Sequence, residues 1–516
     1  MGLLRWTVKK AIRRRLRQVE AALKNPAATQ ERLLLHLVRC ARDTEWGRAH
    51  GYDGIRSVRE FQRAVPVNRY EDLAPLWHRA FDGARDLAWP GHIPYFALSS
   101  GTTAGICKAL PVSRQAIRAN FQSGTTLLGL CERQAPDADL VGGKMLYLGG
   151  STQLERRGAC QQGDASGINA ACLPRFSLRY RLPAPDVAAI LDWEARVDAI
   201  CDRHLDAPVC AVAGLPSWTL IFFRRLVDVA RERRGPAVCT VNDVWPGLRM
   251  LVHFGMAFEP YRRQFEELVG RPIVTIDTYS SSEGGLNAIQ TDQTNPGMQL
   301  ELDTGAFFEF VPAREFDRPD PPRLTLDQVE TGVDYAVLLS TPSGIWAYDV
   351  GDVVRFTSLR PPKILVVGRT RLALNTFGEH VTQENLEQAL TESCRALDAR
   401  VNDFTVNPIL PTAADPRGQH LWLIEFEGPE PPLHTFAAKL DGSLADKNLD
   451  YKVHRDRDYS LLAPRIIALT PGTFYEWARN HDALGGQHKI PHVARSQQMV
   501  DELKDLSRTL LRARRL

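Results

Sequence analysis

Three short segments of this chain carry side chains whose types and spacing suit work on a phosphorylated substrate. The first is Ser99-Ser100-Gly101-Thr102-Thr103-Ala104-Gly105-Ile106-Cys107-Lys108. Its glycines let the backbone turn tightly and expose N–H groups, its hydroxyls add donors, and its lysine adds positive charge. Together these make a polyphosphate cradle in composition. It is not the Walker pattern, because Lys108 neither directly follows the second glycine nor precedes a Ser or Thr. On its own, a loop this rich in Gly, Ser and Thr is often only a loop. The second segment, Tyr279-Ser280-Ser281-Ser282-Glu283-Gly284-Gly285, follows an apolar run at residues 273–276. A carboxylate at a strand end suits Mg²⁺, which takes one or two carboxylates together with phosphate oxygens; an ordinary polar turn is the plain alternative. The third is Tyr348-Asp349-Val350-Gly351-Asp352, with Gly368-Arg369 further on. Asp352 is expected to open a strand and to accept hydrogen bonds from a ribose diol, as acidic residues do in other nucleotide sites; a Gly-Asp turn ahead of a strand is the alternative.

These segments need a scaffold. From Lys144 onward, short β-favouring runs alternate with helical patterns, the mark of an α/β layered fold. Strands are expected at residues 144–148, 306–311, 335–340, 353–357, 364–367 and 421–426, with an exposed loop at 312–323. Polar, turn-prone residues then run to Gly378, and a helix starts at Thr382, a good N-cap, with Leu386, Leu390, Cys394 and Leu397 on one face. The expected organisation is a basic amphipathic helix over 1–25, a large domain of layered sheets and helices over 26–369, and a smaller α+β domain over 370–516.

The 516 residues include 64 basic and 61 acidic side chains, with 44% hydrophobic and 24% charged residues. That profile excludes disordered, collagen-like and disulfide-scaffold chains, and the length predicts more than one packed unit. Residues 1–17 hold seven basic groups (Arg5, Lys9, Lys10, Arg13, Arg14, Arg15 and Arg17) and no acid, so a basic leader precedes a slightly acidic body. Val8, Ile12, Leu16, Val19 and Leu23 recur at helical spacing. The leader therefore either docks this stripe on its own domain, with a solvated basic face, or makes peripheral contact with an anionic membrane. It lacks the apolar region of a secretory signal, and Trp6 breaks the myristoylation pattern. The longest apolar stretch, residues 207–223, is broken by Pro208, Gly214 and Pro216, so no transmembrane helix is expected. Nine scattered cysteines without a C-x-x-C pair read as reduced thiols of a cytoplasmic protein. Outside the leader the obvious basic cluster is Arg508, Arg512, Arg514 and Arg515, so nucleic-acid binding is not expected.

The order of the three segments, followed by a domain hinge, resembles the adenylate-forming superfamily of acyl-CoA synthetases, luciferases and peptide-synthetase adenylation domains. The flanking sequence resembles one branch more closely, the auxin-responsive Gretchen Hagen family of acyl acid amido synthetases with its bacterial members. Val65-Pro66-Val67-Asn68-Arg69-Tyr70-Glu71-Asp72 stands ahead of the phosphate loop. Pro216-Ser217-Trp218 and Phe254-Gly255-Met256-Ala257-Phe258-Glu259-Pro260-Tyr261 lead to the Tyr279 segment, and Phe307-Phe308-Glu309-Phe310-Val311 follows it. Asn448-Leu449-Asp450-Tyr451-Lys452, Pro471-Gly472-Thr473-Phe474 and Gly485-Gly486-Gln487-His488-Lys489-Ile490-Pro491 then come in the family's order. His492 departs from it, standing where the family often has Arg.

The resemblance implies a large adenylation domain, a small mobile C-terminal domain, and two half-reactions that use ATP and Mg²⁺. A small carboxylic acid is adenylated, then passed to an amino acid or other amine. It implies that Ser99, Ser100, Gly101, Thr102, Thr103 and Lys108 hold the β- and γ-phosphates and that Tyr279 and Ser282 border the adenine and α-phosphate. Glu283 would hold Mg²⁺, Asp352 and Arg369 the ribose, and Lys489 the charge that develops between carboxylate and α-phosphate. Phe121, Met145, Trp218, Phe222 and Trp245 could form an acyl slot or could be ordinary core. His488 and His492 are four apart, but Pro491 between them speaks against a metal pair. Two further readings stay open: a thiol or hydroxyl acceptor in the second step, and an idle adenylate-fold protein localised by its basic leader. A monomer is expected.

Overall fold

A computed structural model describes residues 2–99, 108–294, 297–370, 374, 379, 381–410, 417–455, 458, 460–485, 489–494 and 496–515. The chain divides into two units, Met1–Gly255 with Leu268–Val366, and Met256–Glu267 with Val367–Leu516.

The main elements of the first unit begin with α1 (Gly2–Lys24), α2 (Pro26–Ala41), β1 (Tyr95–Ser99), β2 (Lys108–Val112), α3 (Arg114–Gln134), β3 (Lys144–Leu148) and α4 (Ala165–Ala171). They continue with β4 (Arg181–Leu182), α5 (Trp193–His204), β5 (Val209–Gly214), α6 (Pro216–Arg234), β6 (Met250–Phe254), β7 (Val274–Ser281), β8 (Gly285–Gln290) and β9 (Met298–Leu300). β10 (Phe307–Pro312), β11 (Asp334–Thr341), β12 (Ile345–Leu359) and β13 (Pro362–Arg369) complete the series, the residues of β13 from Val367 on being counted in the second unit. Eleven strands form one sheet in the order β10-β11-β12-β13-β9-β8-β7-β6-β5-β3-β4. From β7 to β4 the pairing is parallel. β5 and β6 are almost wholly buried, as strands covered on both faces must be.

β10 with β11, β11 with β12, β13 with β9 and β9 with β8 pair antiparallel. One core cluster takes Tyr279 from β7, Ala288 from β8, Met298 from β9, Phe310 from β10, Val337 from β11, Val354 from β12 and Ile364 from β13. A flat sheet would hold β7 and β12 about 19 Å apart, four strand spacings, so the sheet curls on itself around these side chains. β1 and β2 pair antiparallel in a separate four-stranded sheet.

The basic leader is helical and its apolar stripe is used within the unit. Ile12 and Leu16 are buried in one cluster with Leu130 and Cys131 of α3 and Met250 and Val252 of β6. Arg15 departs from the expected solvated basic face. It sits next to that stripe, is buried, and donates to both Asp303 oxygens at 2.6 Å, to Glu301 at 3.3 Å and to Thr126 at 2.9 Å. No helix among the described residues is long and apolar enough to cross a membrane. The described cysteines are all free.

The second unit has a three-stranded sheet, β14 (Val401–Ile409), β15 (Gly418–Phe426) and β16 (Leu461–Leu469), with β15 in the centre. Helices α7 (Gln383–Ala396) and α8 (Leu433–Lys447) cover it, burying Leu386, Leu390, Phe436 and Leu440 against Phe404 and Trp422. Thr382 and Asn385 form the capping box that starts α7. The helices α9 (Thr473–Asn480) and α10 (Gln497–Arg515) follow. Residues 256–267, which the sequence places inside the large domain, belong to this unit. Gln264 donates to the Val401 carbonyl at 2.9 Å, and Arg400 pairs with Glu267 at 2.9 Å.

Candidate active site

The Tyr279 segment is the end of β7 and the turn into β8. Ser281 Oγ accepts from the Gly284 N–H at 3.0 Å and from Asn287 Nδ2 at 3.1 Å, which closes the turn and leaves Ser282 and Glu283 at its tip. Gly285 has to be glycine for two reasons. Its φ is +74°, and a Cβ there would lie 1.7 Å from Asn120 Oδ1 of α3. Asn120 is itself held by donating to Asn169 of α4 at 3.1 Å. Asn287 is 1% exposed, and its Oδ1 has no hydrogen-bond donor among the described residues. An acceptor is therefore left open at the base of the turn.

The Asp352 segment meets this turn through the curl of the sheet. Tyr279 Oη donates to Asp352 Oδ2 at 2.9 Å, and both residues are buried. Asp352 does not open a strand as expected but lies inside β12. Gly351, at φ +84°, bends the strand without ending it, and its N–H donates to Asp349 Oδ1 at 2.8 Å.

Burial pushes the Tyr348 phenol well above its usual pKa, and Glu283, Asp349 and Glu71 push the same way through their negative charge. The Val65–Asp72 motif is tied to the same strand. Asn68 bridges alongside Tyr348, its N–H donating to the Ala347 carbonyl at 2.9 Å and its side-chain amide to the Trp346 carbonyl at 2.8 Å. Tyr70, two residues on, accepts from the Ala109 N–H at 3.3 Å and lies 5.1 Å beneath the Lys108 ammonium. Lys108 thus opens β2 beside Tyr70. Ser99 ends β1, while Ser100, Gly101, Thr102 and Thr103 lie outside the described residues.

In the second unit, Arg369 ends β13 and Lys489 is half-buried. The residues just after Lys489 are firmly seated. His492 Nδ1 lies 2.9 Å from Glu387 of α7, its ring stacks on Phe404 at 4.1 Å, and its carbonyl accepts from the Val406 N–H at 2.9 Å. His492 thus pairs with a carboxylate. His488 lies outside the described residues.

The five residues expected to form the slot lie in different surroundings. Phe222 stacks on Trp245 at 6.0 Å and is fully buried, and Trp218 meets Trp193 edge-on at 5.8 Å. Met145 packs in the cluster of Ile12 and Leu16, whereas Phe121 is 37% exposed against Phe176. These are core and surface positions, where large apolar side chains pack helices onto the sheet. Among the described residues no three His, Cys, Asp or Glu side chains form a metal cage. Mg²⁺ does not need one, since phosphate oxygens and water fill most of its octahedron; the Glu283 carboxylate at an accessible turn fits that requirement.

Comparison with known proteins finds relatives in both sequence and fold. The chain matches the GH3 family N-terminal domain over residues 15–167, the GH3 family central domain over 300–369 and the GH3 family C-terminal domain over 384–498. It is 24% identical to jasmonoyl-L-amino acid synthetase JAR4 of Nicotiana attenuata over 92% of each chain. It is 23% identical to indole-3-acetic acid-amido synthetase GH3.3 of Arabidopsis thaliana over 92% of this chain and 91% of that one. Two solved structures share the fold. An AtGH3.15 acyl acid amido synthetase in complex with 2,4-DB superposes with TM-score 0.78 at 18% identity over 96% of both chains. A 2-hydroxyisobutyryl-CoA ligase with 2-HIB-AMP superposes with TM-score 0.59 at 14% identity, covering 94% of this chain and 93% of that one.

Proposed function

The chain belongs to the GH3 family, and on that premise we propose that it activates a small carboxylic acid with ATP as an acyl-adenylate and passes the acyl group to an amino acid. The observation that carries this reading is the Tyr279–Asp352 hydrogen bond, which joins two of the nucleotide motifs across 73 residues of chain. In the first step a carboxylate oxygen attacks the α-phosphorus and pyrophosphate leaves. In the second the amine nitrogen attacks the acyl carbonyl, gives up a proton and expels AMP.

Bringing two anions together requires positive charge and donors aimed at the transferring oxygens. The loop of Ser99, Ser100, Gly101, Thr102 and Thr103, with Lys108, is assigned to the β- and γ-phosphates. Tyr279 and Ser282 border the adenine and α-phosphate. Asp352, held by the Tyr279 hydroxyl, accepts from the ribose together with Arg369. Glu283 is the residue that would hold Mg²⁺, which when bound offsets charge on the phosphate oxygens. Lys489 is assigned to the charge developing between carboxylate and α-phosphate.

The test is pyrophosphate exchange with a panel of aromatic and aliphatic carboxylates, followed by mass spectrometry of products formed with mixed amino acids. Acid-dependent exchange and an acyl-amino acid product are expected. No exchange with any acid would overturn the adenylation step, and AMP release that needs coenzyme A instead of amino acids would overturn the amide step. Lys489→Ala is expected to lose most exchange; full retention removes Lys489 from the mechanism.

A further inference from the structure

The segment that carries Lys489 runs into a buried clamp within the second unit. Three residues after Lys489, the His492 side chain is 5% exposed and lies between α7 and β14. Its Nδ1 meets Glu387 Oε1 of α7 at 2.9 Å, and the same oxygen accepts from Gln383 at 2.7 Å. Its Nε2 faces Asp403 Oδ1 of β14 at 3.8 Å. The ring stacks on Phe404, which in turn stacks on Trp422. Helix and strand therefore hold one imidazole between two carboxylates.

Packing alone does not call for this arrangement, because a buried ion pair is often no more stabilising than an apolar side chain of similar volume. What the polar ring adds is direction. Beyond Lys489 the backbone is tied to the edge of β14 through Val406, which bridges in parallel to Val493. The Val406 N–H donates to the His492 carbonyl at 2.9 Å, and the Ala494 N–H donates to the Val406 carbonyl at 2.8 Å. Backbone bonds of this kind can be remade after a slip of two residues, which returns each side chain to the same face. Such a slip would carry the chain about 7 Å along β14. Burial of Ile490 and the packing of Val493 keep the segment on the unit, but apolar contact is non-directional. The bond to Glu387 is made in one register and lost in the next.

The clamp is close enough in sequence to govern the lysine. Three residues place the Lys489 Cα at most about 11 Å from that of His492, and Pro491 between them has its φ fixed by its ring. A displacement of about 1 Å at a catalytic group can cost about a hundredfold in rate, so a register that is off by one repeat is far outside what the chemistry tolerates. Resting on the adenylation role proposed for Lys489, we propose that His492 is a positioning residue for that lysine. The clamp of Glu387, His492 and Asp403 sets the register of the segment along β14 and, with it, the place of the Lys489 ammonium.

The test combines pyrophosphate exchange with amide hydrogen exchange of the full chain measured without substrates. His492→Leu is expected to lower kcat by about tenfold or more while the KM for ATP stays within about twofold. His492→Asn, whose amide Nδ2 can stand where the imidazole Nδ1 does, should recover most of that loss. In a Lys489→Ala background, His492→Leu should change the remaining rate by less than about twofold, because the histidine acts through the lysine. Hydrogen exchange at Val406 and Ala494 should quicken in His492→Leu and return toward wild type in His492→Asn. Glu387 is the more accessible partner, so Glu387→Ala carries the same test if His492→Leu fails to fold. A wild-type kcat in the folded variants, an equal loss in the Lys489→Ala background, or unchanged hydrogen exchange overturns the positioning. Full activity of Lys489→Ala overturns it as well, by removing the lysine's role, and hydrogen exchange tells that failure from a failure of the clamp.

Discussion

Tyr279→Phe removes one oxygen atom and, with it, the 2.9 Å hydrogen bond to Asp352. The acceptor is a carboxylate in a residue 6% exposed, and the donor residue is equally buried. A hydrogen bond to a charged group in such a setting is worth about 1.5–3 kcal/mol, and each 1.4 kcal/mol is about a factor of ten in affinity. Because Asp352 keeps other interactions, the lower end applies. The variant should therefore raise the KM for ATP in pyrophosphate exchange by roughly tenfold, with a smaller change in kcat, since the proposed ribose contact would be made in ground and transition states alike. The sharper readout is a double-mutant cycle with Asp352→Asn. If the hydroxyl acts through the carboxylate, Tyr279→Phe should cost little once Asp352 is already Asn. Single effects that add to within about 0.5 kcal/mol, or an unchanged KM for ATP in Tyr279→Phe, would refute the reasoning.

Other consequences concern the scaffold. Arg15→Ala leaves Glu301 buried beside Asp303, and loss of one partner from a buried ion pair costs about 3–5 kcal/mol; in urea denaturation it should fall well below Arg14→Ala, an exposed position expected within about 0.5 kcal/mol of wild type. Gly285→Ala combines a positive φ with a collision against Asn120, so it should lose more than about 1 kcal/mol of stability and most exchange activity; a wild-type melting curve would contradict the turn geometry. Asp403 is pushed up to about 7, chiefly by burial, with His492 and the Phe404 N–H pulling the other way. The folded chain therefore holds this proton between about pH 4 and 7 where the unfolded chain releases it, so the stability that Asp403 contributes is full at low pH and is lost as pH rises through about 7. Asp403→Asn should accordingly gain on the wild type between about pH 5 and pH 8, and a difference in denaturation midpoint that does not change with pH would count against it.

Much of this chain was readable from residue types in order. The strand at 144–148, the Thr382 cap with its helical stripe, and the apolar spacing of the leader are local signals, because they depend on near neighbours and on the 2- and 3.6-residue periods. The chemical character of the three motifs was readable for the same reason. Arg15 was not: its sequence neighbours are basic, and what buries it are Glu301 and Asp303, 286 and 288 residues away. The members of an acyl slot were not readable either, because apolar type alone does not distinguish a residue that packs a helix from one that lines a cavity.

The sequence by itself determined the family and the inventory of polar groups proposed to bind a nucleotide. Tertiary structure alone decided which of them meet. Tyr279 touches Asp352 only because seven strands curl around one core. Such contacts depend on how a sheet bends and where its ends fall, and those follow from packing the whole layer at once.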